Sequence, residues 1–354
     1  MPDTSYLDDL RATLTALAIG TIGAGVGWLL HFPLFILTGP ALVVSVVGIL
    51  GPELRIAPIF RDGAFLVLGI GIGAGVTPQA GRLLLNLPLA AVGIFVMLVA
   101  IIWLCRLLLV HVFSFDRRSA VLAGSPGHLS YVLSLGLTFD LDTTRITVVQ
   151  TVRLLALTFL VPLMALAMGV TVDASALISG ASMAWGPLAV LAAIALAVGL
   201  VLKRINVPAP LLLGGLFTSS ATHLTDITPG SLPPVLAWPA FLILGTLIGS
   251  RFTAITPRQL GQNLMAGLGS TLIALICAGV AAIVVAPLIN VPLIHVLVAF
   301  APGGLETMIA MGAVLGASPG FVAACHVARL FILTFLVPLM LGKGQAQRSN
   351  ASRS

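Results

Sequence analysis

The sequence predicts an all-α, polytopic integral membrane protein built as two inverted repeats. Each repeat has about five crossings plus one interrupted or re-entrant segment. Three observations predict this. Of 354 residues, 59% are hydrophobic and only 8% charged, with mean hydropathy +1.16. Two long stretches of the chain repeat each other. And the basic residues fall on one side of a membrane only if one segment of each repeat fails to cross.

A soluble domain carries roughly a quarter charged residues, so a chain this poor in charge cannot coat itself against water. Apolar runs of about 20 residues recur from end to end, the length of a helical span rather than of a barrel strand of about 10. In the first half they lie at 11–31, 35–50, 62–77, 87–110, 118–138 and 143–168; in the second, at 187–202, 208–222, 234–250, 263–286, 292–315 and 319–341. The opening run follows Asp3, Asp8 and Asp9. A secretory leader has a basic start and a shorter apolar core, so this run is expected to be retained as a helix. Residues 1–168 form the first repeat, 169–186 a linker and 187–342 the second repeat. Residues 343–354 form a short polar tail, expected to be disordered and cytoplasmic.

The repeat is plain near the end of each half. SPGHLSYVLSLGLTFDLDTTRITVVQTVRLLALTFLVPLM (Ser125–Met164) aligns without a gap with APGGLETMIAMGAVLGASPGFVAACHVARLFILTFLVPLM (Ala301–Met340), at an offset of 176 and with 14 of 40 positions identical. Earlier parts repeat more faintly: HFPLFILTGPAL resembles NVPAPLLLGGLF, and VLGIGIGAGVTP resembles ILGTLIGSRFTAITP.

Lys and Arg favour short cytoplasmic loops. If all twelve segments cross, the 15 basic residues outside segments split nine to six, which decides nothing. If the fifth segment of each half dips in and returns, fourteen share one side and only Arg82 is opposite. Each half then has an odd number of crossings, so the halves point in opposite directions, with both chain termini cytoplasmic in a bacterial inner membrane. Parity does not say which segment dips; proline and glycines make the fifth the best candidate, the alternative being broken helices that cross fully while some other segment dips. Broken backbone inside a membrane must be buried in protein or line a watery cavity. Two such segments meeting near mid-membrane are a mark of secondary transporters.

The candidate site follows. A helix is expected to restart after Pro126-Gly127 and just after Pro302-Gly303. Its first amides lack internal partners and attract anionic groups. Glu306 falls in the second restart, at about the third helical position. Apart from Asp62, the first residue of the 62–77 run, it is the only acidic residue inside any of the apolar segments. A bare carboxylate at such depth is costly unless paired, hydrated or protonated, so Glu306 is a candidate for H⁺ or Na⁺; the plainer alternative is a cap on its own helix. Ser130 holds the matching place in the first half, with His128 opposite Gly304; Ser125 opens that motif as Ala301 opens the other. Arg153 and Arg329 lie about ten residues into their segments. Each is read as an anion ligand or as a clamp on open carbonyls of the interrupted segment. His326 shares a helical face with Arg329 and is a relay candidate or a satisfied polar contact, with Gln150 as its counterpart.

Other chemistries are not expected. The six histidines make no metal-binding spacing, and Cys105, Cys277 and Cys325 read as buried free thiols, so no metal, cofactor or enzymatic activity is expected. The net charge of +6 includes no run dense enough for nucleic acid. The Gly69–Gly73 run reads as close helix packing rather than a nucleotide loop. Expected partners are a small-molecule solute and membrane lipid, with a homodimer as one allowed assembly.

The motifs SPGHL and APGGLE, with CHVARL in the second half, resemble a family of duplicated bacterial membrane proteins labelled AbrB-like, also labelled as an ammonia monooxygenase and as a regulator. His128 stands where that family's first motif usually has a glycine. The resemblance implies a polytopic inner-membrane protein, and one member is linked to regulation of gene expression. Two functions are therefore carried forward: a secondary transporter for a small anionic or zwitterionic solute, coupled to H⁺ or Na⁺, and a membrane-embedded regulator or sensor that moves nothing.

Overall fold

The computed structural model describes residues 3–76, 83, 85–127, 129–170, 181–225 and 227–342, and fourteen helices are delimited among these described residues. They are α1 (Asp3–Leu29), α2 (Phe35–Ile49), α3 (Pro58–Ala74), α4 (Leu87–His111), α5 (Arg117–Gly124), α6 (Leu129–Thr138), α7 (Thr143–Ala167), α8 (Trp185–Arg204), α9 (Pro210–Leu224), α10 (Pro234–Ser250), α11 (Pro257–Leu288), α12 (Leu293–Phe300), α13 (Leu305–Val314) and α14 (Pro319–Leu341). Six of them are long and apolar enough to cross a membrane, so the protein is a membrane-embedded helical one. Arg82, His128, the tail 343–354 and most of the expected linker lie outside the described residues, as does the side chain of Ser130.

Both fifth segments are broken where the prolines predict. Residues 125–127 lie outside helix between α5 and α6, and residues 301–304 separate α12 from α13. A helix of 8 or 10 residues is about 12–15 Å long, half of a ~30 Å hydrocarbon layer. Each pair folds back on itself. In the first, the Arg118 guanidinium lies 5.5 Å from the Phe139 ring centroid, joining the start of α5 to the end of α6. Arg145, in the first turn of α7, donates to the carbonyls of Phe113 (2.9 Å) and Ser114 (3.4 Å) and stacks 3.8 Å from the Phe115 ring centroid. In the second, the Ser318 amide donates to Nδ1 of His295 at 3.4 Å.

The two hairpins open at opposite ends of α11. Arg145 also reaches Asn263 near the start of α11 (3.3 Å), whereas Asn86, just before α4, donates to the carbonyl of Ile289 just past its end (2.8 Å). Left-handed residues occur in matched pairs: His31 with Asn206, Leu34 with Ala209, Ser114 with Asn290 and Asp140 with Gly316. For residues other than glycine this conformation costs roughly 1–2 kcal/mol, so its recurrence at matched places is not an accident of local sequence.

Packing does not follow the two halves of the sequence. One body gathers α1–α3 with α8–α10; the other gathers α4–α7 with α11–α14. The first body is held by glycines that let backbones touch. A methyl added at Gly69 would collide with the Leu212 carbonyl, and one at Gly215 would sit 2.7 Å from the Leu66 carbonyl, as the Gly69–Gly73 run predicts. Contact between the bodies is sparse, confined mainly to α13 on α3 and α7 on α2 and α10.

Charge is segregated. Of 17 Lys and Arg residues, four lie outside the described ones; of the remaining thirteen, all but Arg153 and Arg329 sit at one end of the bundle or within two turns of it. Ion pairs and hydrogen bonds tie that end together: Arg55 with Asp9 (3.1 Å), Arg61 with Asp62 (2.8 Å), Lys203 with Asp62 (3.9 Å), and Thr253 with the Leu54 carbonyl (3.0 Å). Helix α3 begins four residues earlier than the apolar run suggests, which carries Asp62 into its second turn.

Candidate functional site

The tips of the hairpins are held by buried arginines reaching back from the following helix. Arg329 is 3% exposed and donates through Nη1 to the Ala301 carbonyl and through Nη2 to the Gly303 carbonyl, both at 2.8 Å. Arg153 is 1% exposed and donates through Nη2 to the Ser125 carbonyl at 3.1 Å and to Oε1 of Gln150. The contact is the same in both halves: each arginine binds the residue 28 positions before it, the first of the break. Proline and the change of direction leave these carbonyls without helical partners, and a guanidinium fork suits two of them at once.

The helper residues differ. Gln150 donates through Nε2 to the carbonyls of Leu122 and Ser125, both at 2.9 Å. His326, fully buried, places Nδ1 3.0 Å from the Val322 carbonyl and leaves Nε2 without a hydrogen bond. Arg153 keeps Nε and Nη1 unpaired, and Arg329 keeps Nε unpaired. No carboxylate is bound to either guanidinium among the described residues.

Pro126, Pro302 and Gly303 are buried at the tips, and Gly127 and Gly304 are half-buried there. A methyl added at Gly303 would press on the Met308 side chain, which would have to shift. Helix α13 restarts at Leu305, which puts Glu306 at its second position. Gly304 caps this helix without a side-chain bond, and Glu306 makes no hydrogen bond or ion pair among the described residues. The carboxylate is half-buried and does not cap its own helix.

Glu306 faces a cavity of about 660 Å³ between the two bodies. One wall comes from α3, the α8–α9 connection and α10, with Arg61, Asp62, Asn206 and Arg251; the other from α6, α13 and α14, with Tyr131, Glu306 and Thr334. Tyr131 closes a corner by donating to the Thr334 carbonyl at 3.1 Å. A narrower void of about 20 Å³ is lined by Phe65, Leu154, Gly304 and Thr307, with Arg251 and Glu306 again on its walls. Arg153, Arg329 and His326 line neither void. The structure therefore gathers Ser125, Arg153, Ala301, Gly303, His326 and Arg329 around the breaks, and Glu306 alone of the charged candidates reaches the cavity. Arg251, Tyr131 and Asn206 were missed in the sequence, where nothing distinguishes them from other loop and interface residues. Among the described residues no group of His, Cys, Asp and Glu could hold a metal ion.

The family profile described as "Transition state regulatory protein AbrB" matches residues 36–343, most of the chain. A curated relative, "Uncharacterized protein YhjN" of Bacillus subtilis (strain 168), is 24% identical over 241 residues. That match covers 63% of this chain and 62% of the relative's length.

Proposed function

The chain belongs to the AbrB family, and from that premise we propose that it is a secondary transporter moving a small anionic or zwitterionic solute. The observation that carries this reading is Glu306, an unpartnered carboxylate beside a helix break, on the wall of a cavity between two loosely joined bodies. A half-buried carboxylate with no partner favours a cation, so H⁺ or Na⁺ at Glu306 would couple the movement. Sparse packing between the bodies lets one shift against the other, exposing the cavity alternately to each side.

In this reading the two halves are inverted repeats. The matched left-handed residues and the hairpins opening at opposite ends of α11 support it. The basic end of the bundle would face the cytoplasm, with both termini, in a bacterial inner membrane. No bond is made or broken in the solute, and no cofactor or nucleic acid is involved. The arginines serve as clamps on the hairpin tips and set the field near the cavity.

The family description favours a second reading, a membrane-embedded regulator using the same cavity as a sensor. Uptake by proteoliposomes under imposed proton and sodium gradients separates the two: accumulation supports transport, and binding without accumulation under any gradient supports the sensor. Topology has its own test. Single cysteines at Arg117 and Asn290 should react with an impermeant maleimide from opposite sides of the membrane. Reaction from the same side overturns the inverted arrangement.

A further inference from the structure

We propose that Arg251 and Glu306 form one bipolar binding site, which takes a carboxylate on Arg251 together with a monovalent cationic group on Glu306. The inference deepens the transport reading and rests on it only in taking the cavity as the solute site.

Arg251 follows the last residue of α10 in the first body; Glu306 begins α13 in the second. Both are half-buried, and both line the large cavity and the narrow void beside it. Neither side chain has a hydrogen bond or ion pair among the described residues. The cavity's other charges are occupied. Arg61 and Lys203 share Asp62, with side chains 42% and 61% exposed, so they form a screened, wet mouth. Arg329 and Arg153 give donors to carbonyls and do not reach the cavity. The free charges facing the cavity from its inner walls are therefore one guanidinium and one carboxylate, set on opposite bodies.

Charge balance gives the ligand class. An anion bound to Arg251 alone leaves the Glu306 charge uncompensated beside it, and a cation bound to Glu306 alone leaves Arg251 so. Binding both together neutralises the inner cavity and lets each body hold one end of the load. A guanidinium fork matches the two oxygens of a carboxylate. The cationic group can come from two sources, the ammonium of a zwitterion or a separate Na⁺.

The test uses the purified full chain in detergent micelles and isothermal titration calorimetry. Probes are glycine, β-alanine and γ-aminobutyrate in choline chloride, and acetate with either choline or Na⁺. An amino acid that binds in choline identifies the zwitterion; acetate that binds only with Na⁺ identifies the separate ion. In either case R251Q and E306Q each weaken binding by about tenfold or more, and the double variant is no weaker than the weaker single one. R251K, which keeps charge but not the fork, recovers part of the affinity and guards against a folding artefact. The proposal is overturned by no heat from any probe up to about 50 mM, by wild-type affinity in R251Q, or by acetate binding that ignores both Na⁺ and E306Q. Failure of the transport reading looks different. A cysteine at Asn206 in the cavity wall would then keep one maleimide reactivity under all gradients and probes, whatever the calorimetry gives.

Discussion

Replacing Arg329 by Lys separates a clamp from a ligand. The guanidinium makes two charge-assisted bonds of 2.8 Å to carbonyls two residues apart, from a site 3% exposed. An ammonium is a single point on a flexible stem and reaches one of those carbonyls well. The other is left buried without a donor. In soluble proteins a bond to a charged group contributes ~1.5–3 kcal/mol, and a stranded buried acceptor costs ~1–3 kcal/mol. Polar contacts between membrane helices measure lower, ~0.6 kcal/mol on average and ~1.7 at most. R329K should therefore lose about 1–3 kcal/mol.

The first half supplies an internal comparison. The Ser125 carbonyl held by Arg153 also accepts from Nε2 of Gln150 (2.9 Å) and from the Gly127 amide (3.0 Å). R153K leaves those donors in place, so its loss should be about half that of R329K or less. Both variants can be measured by unfolding in mixed micelles with increasing sodium dodecyl sulfate, followed by far-ultraviolet circular dichroism. A wild-type stability for R329K, or a larger loss for R153K, would refute the clamp. Wild-type stability joined to lost solute binding would return Arg329 to the role of anion ligand.

Two further substitutions test the frame around the site. Gly69→Ala should destabilise by about 1–3 kcal/mol, because the added methyl meets the rigid Leu212 carbonyl rather than a side chain that can turn away. Gly25→Ala, with nothing within 4 Å, is the control and should be neutral or slightly stabilising in the same unfolding assay. Asp116→Ala removes a cap that accepts from the amides of Arg118 (3.0 Å) and Ser119 (2.9 Å) at the start of α5. A loss of about 0.5–2 kcal/mol is expected, with faster hydrogen exchange at those two amides; unchanged exchange would remove the cap from the account.

Much of this architecture was legible because its signals are local. Pro126-Gly127 and Pro302-Gly303 cannot continue a helix, and the structure breaks at both. Helix bounds fall within a few residues of the apolar runs, except that α1 starts eight residues earlier and α11 six residues earlier than expected. The match between Arg153 and Arg329 was visible as an aligned pair, and their shared contact follows from it. Arg251 was not legible. It follows a span like any other interfacial arginine, and only the packing of α10 against α3, and of α3 against α13, brings it to Glu306's cavity. Nor was the grouping into bodies: alignment links the halves end to end, whereas the fold sorts each half into its first three helices and its remainder.

That sorting bears on which parts can move. The first body is stitched by backbone contacts at glycines, which fix helix separation closely. The second is stitched at its breaks by two buried arginines, each committed to carbonyls of its own half. Each body is thus tied internally by contacts that do not stretch, while the surface between them has few contacts to lose and encloses the cavity. A motion that keeps both sets of ties must occur at that surface. It would carry Glu306 past Arg251, changing the distance between a free carboxylate and a free guanidinium. On the proposed reading, the empty cavity is then drawn closed by their attraction, and a load that satisfies both charges lets the bodies part on the other side. Raising salt should weaken the empty-state attraction between such half-exposed charges more than the loaded state. Maleimide access to a cysteine at Asn206 should therefore rise with ionic strength in the ligand-free protein, and should not do so in R251Q. Equal salt response in both proteins would sever the motion from this pair of charges.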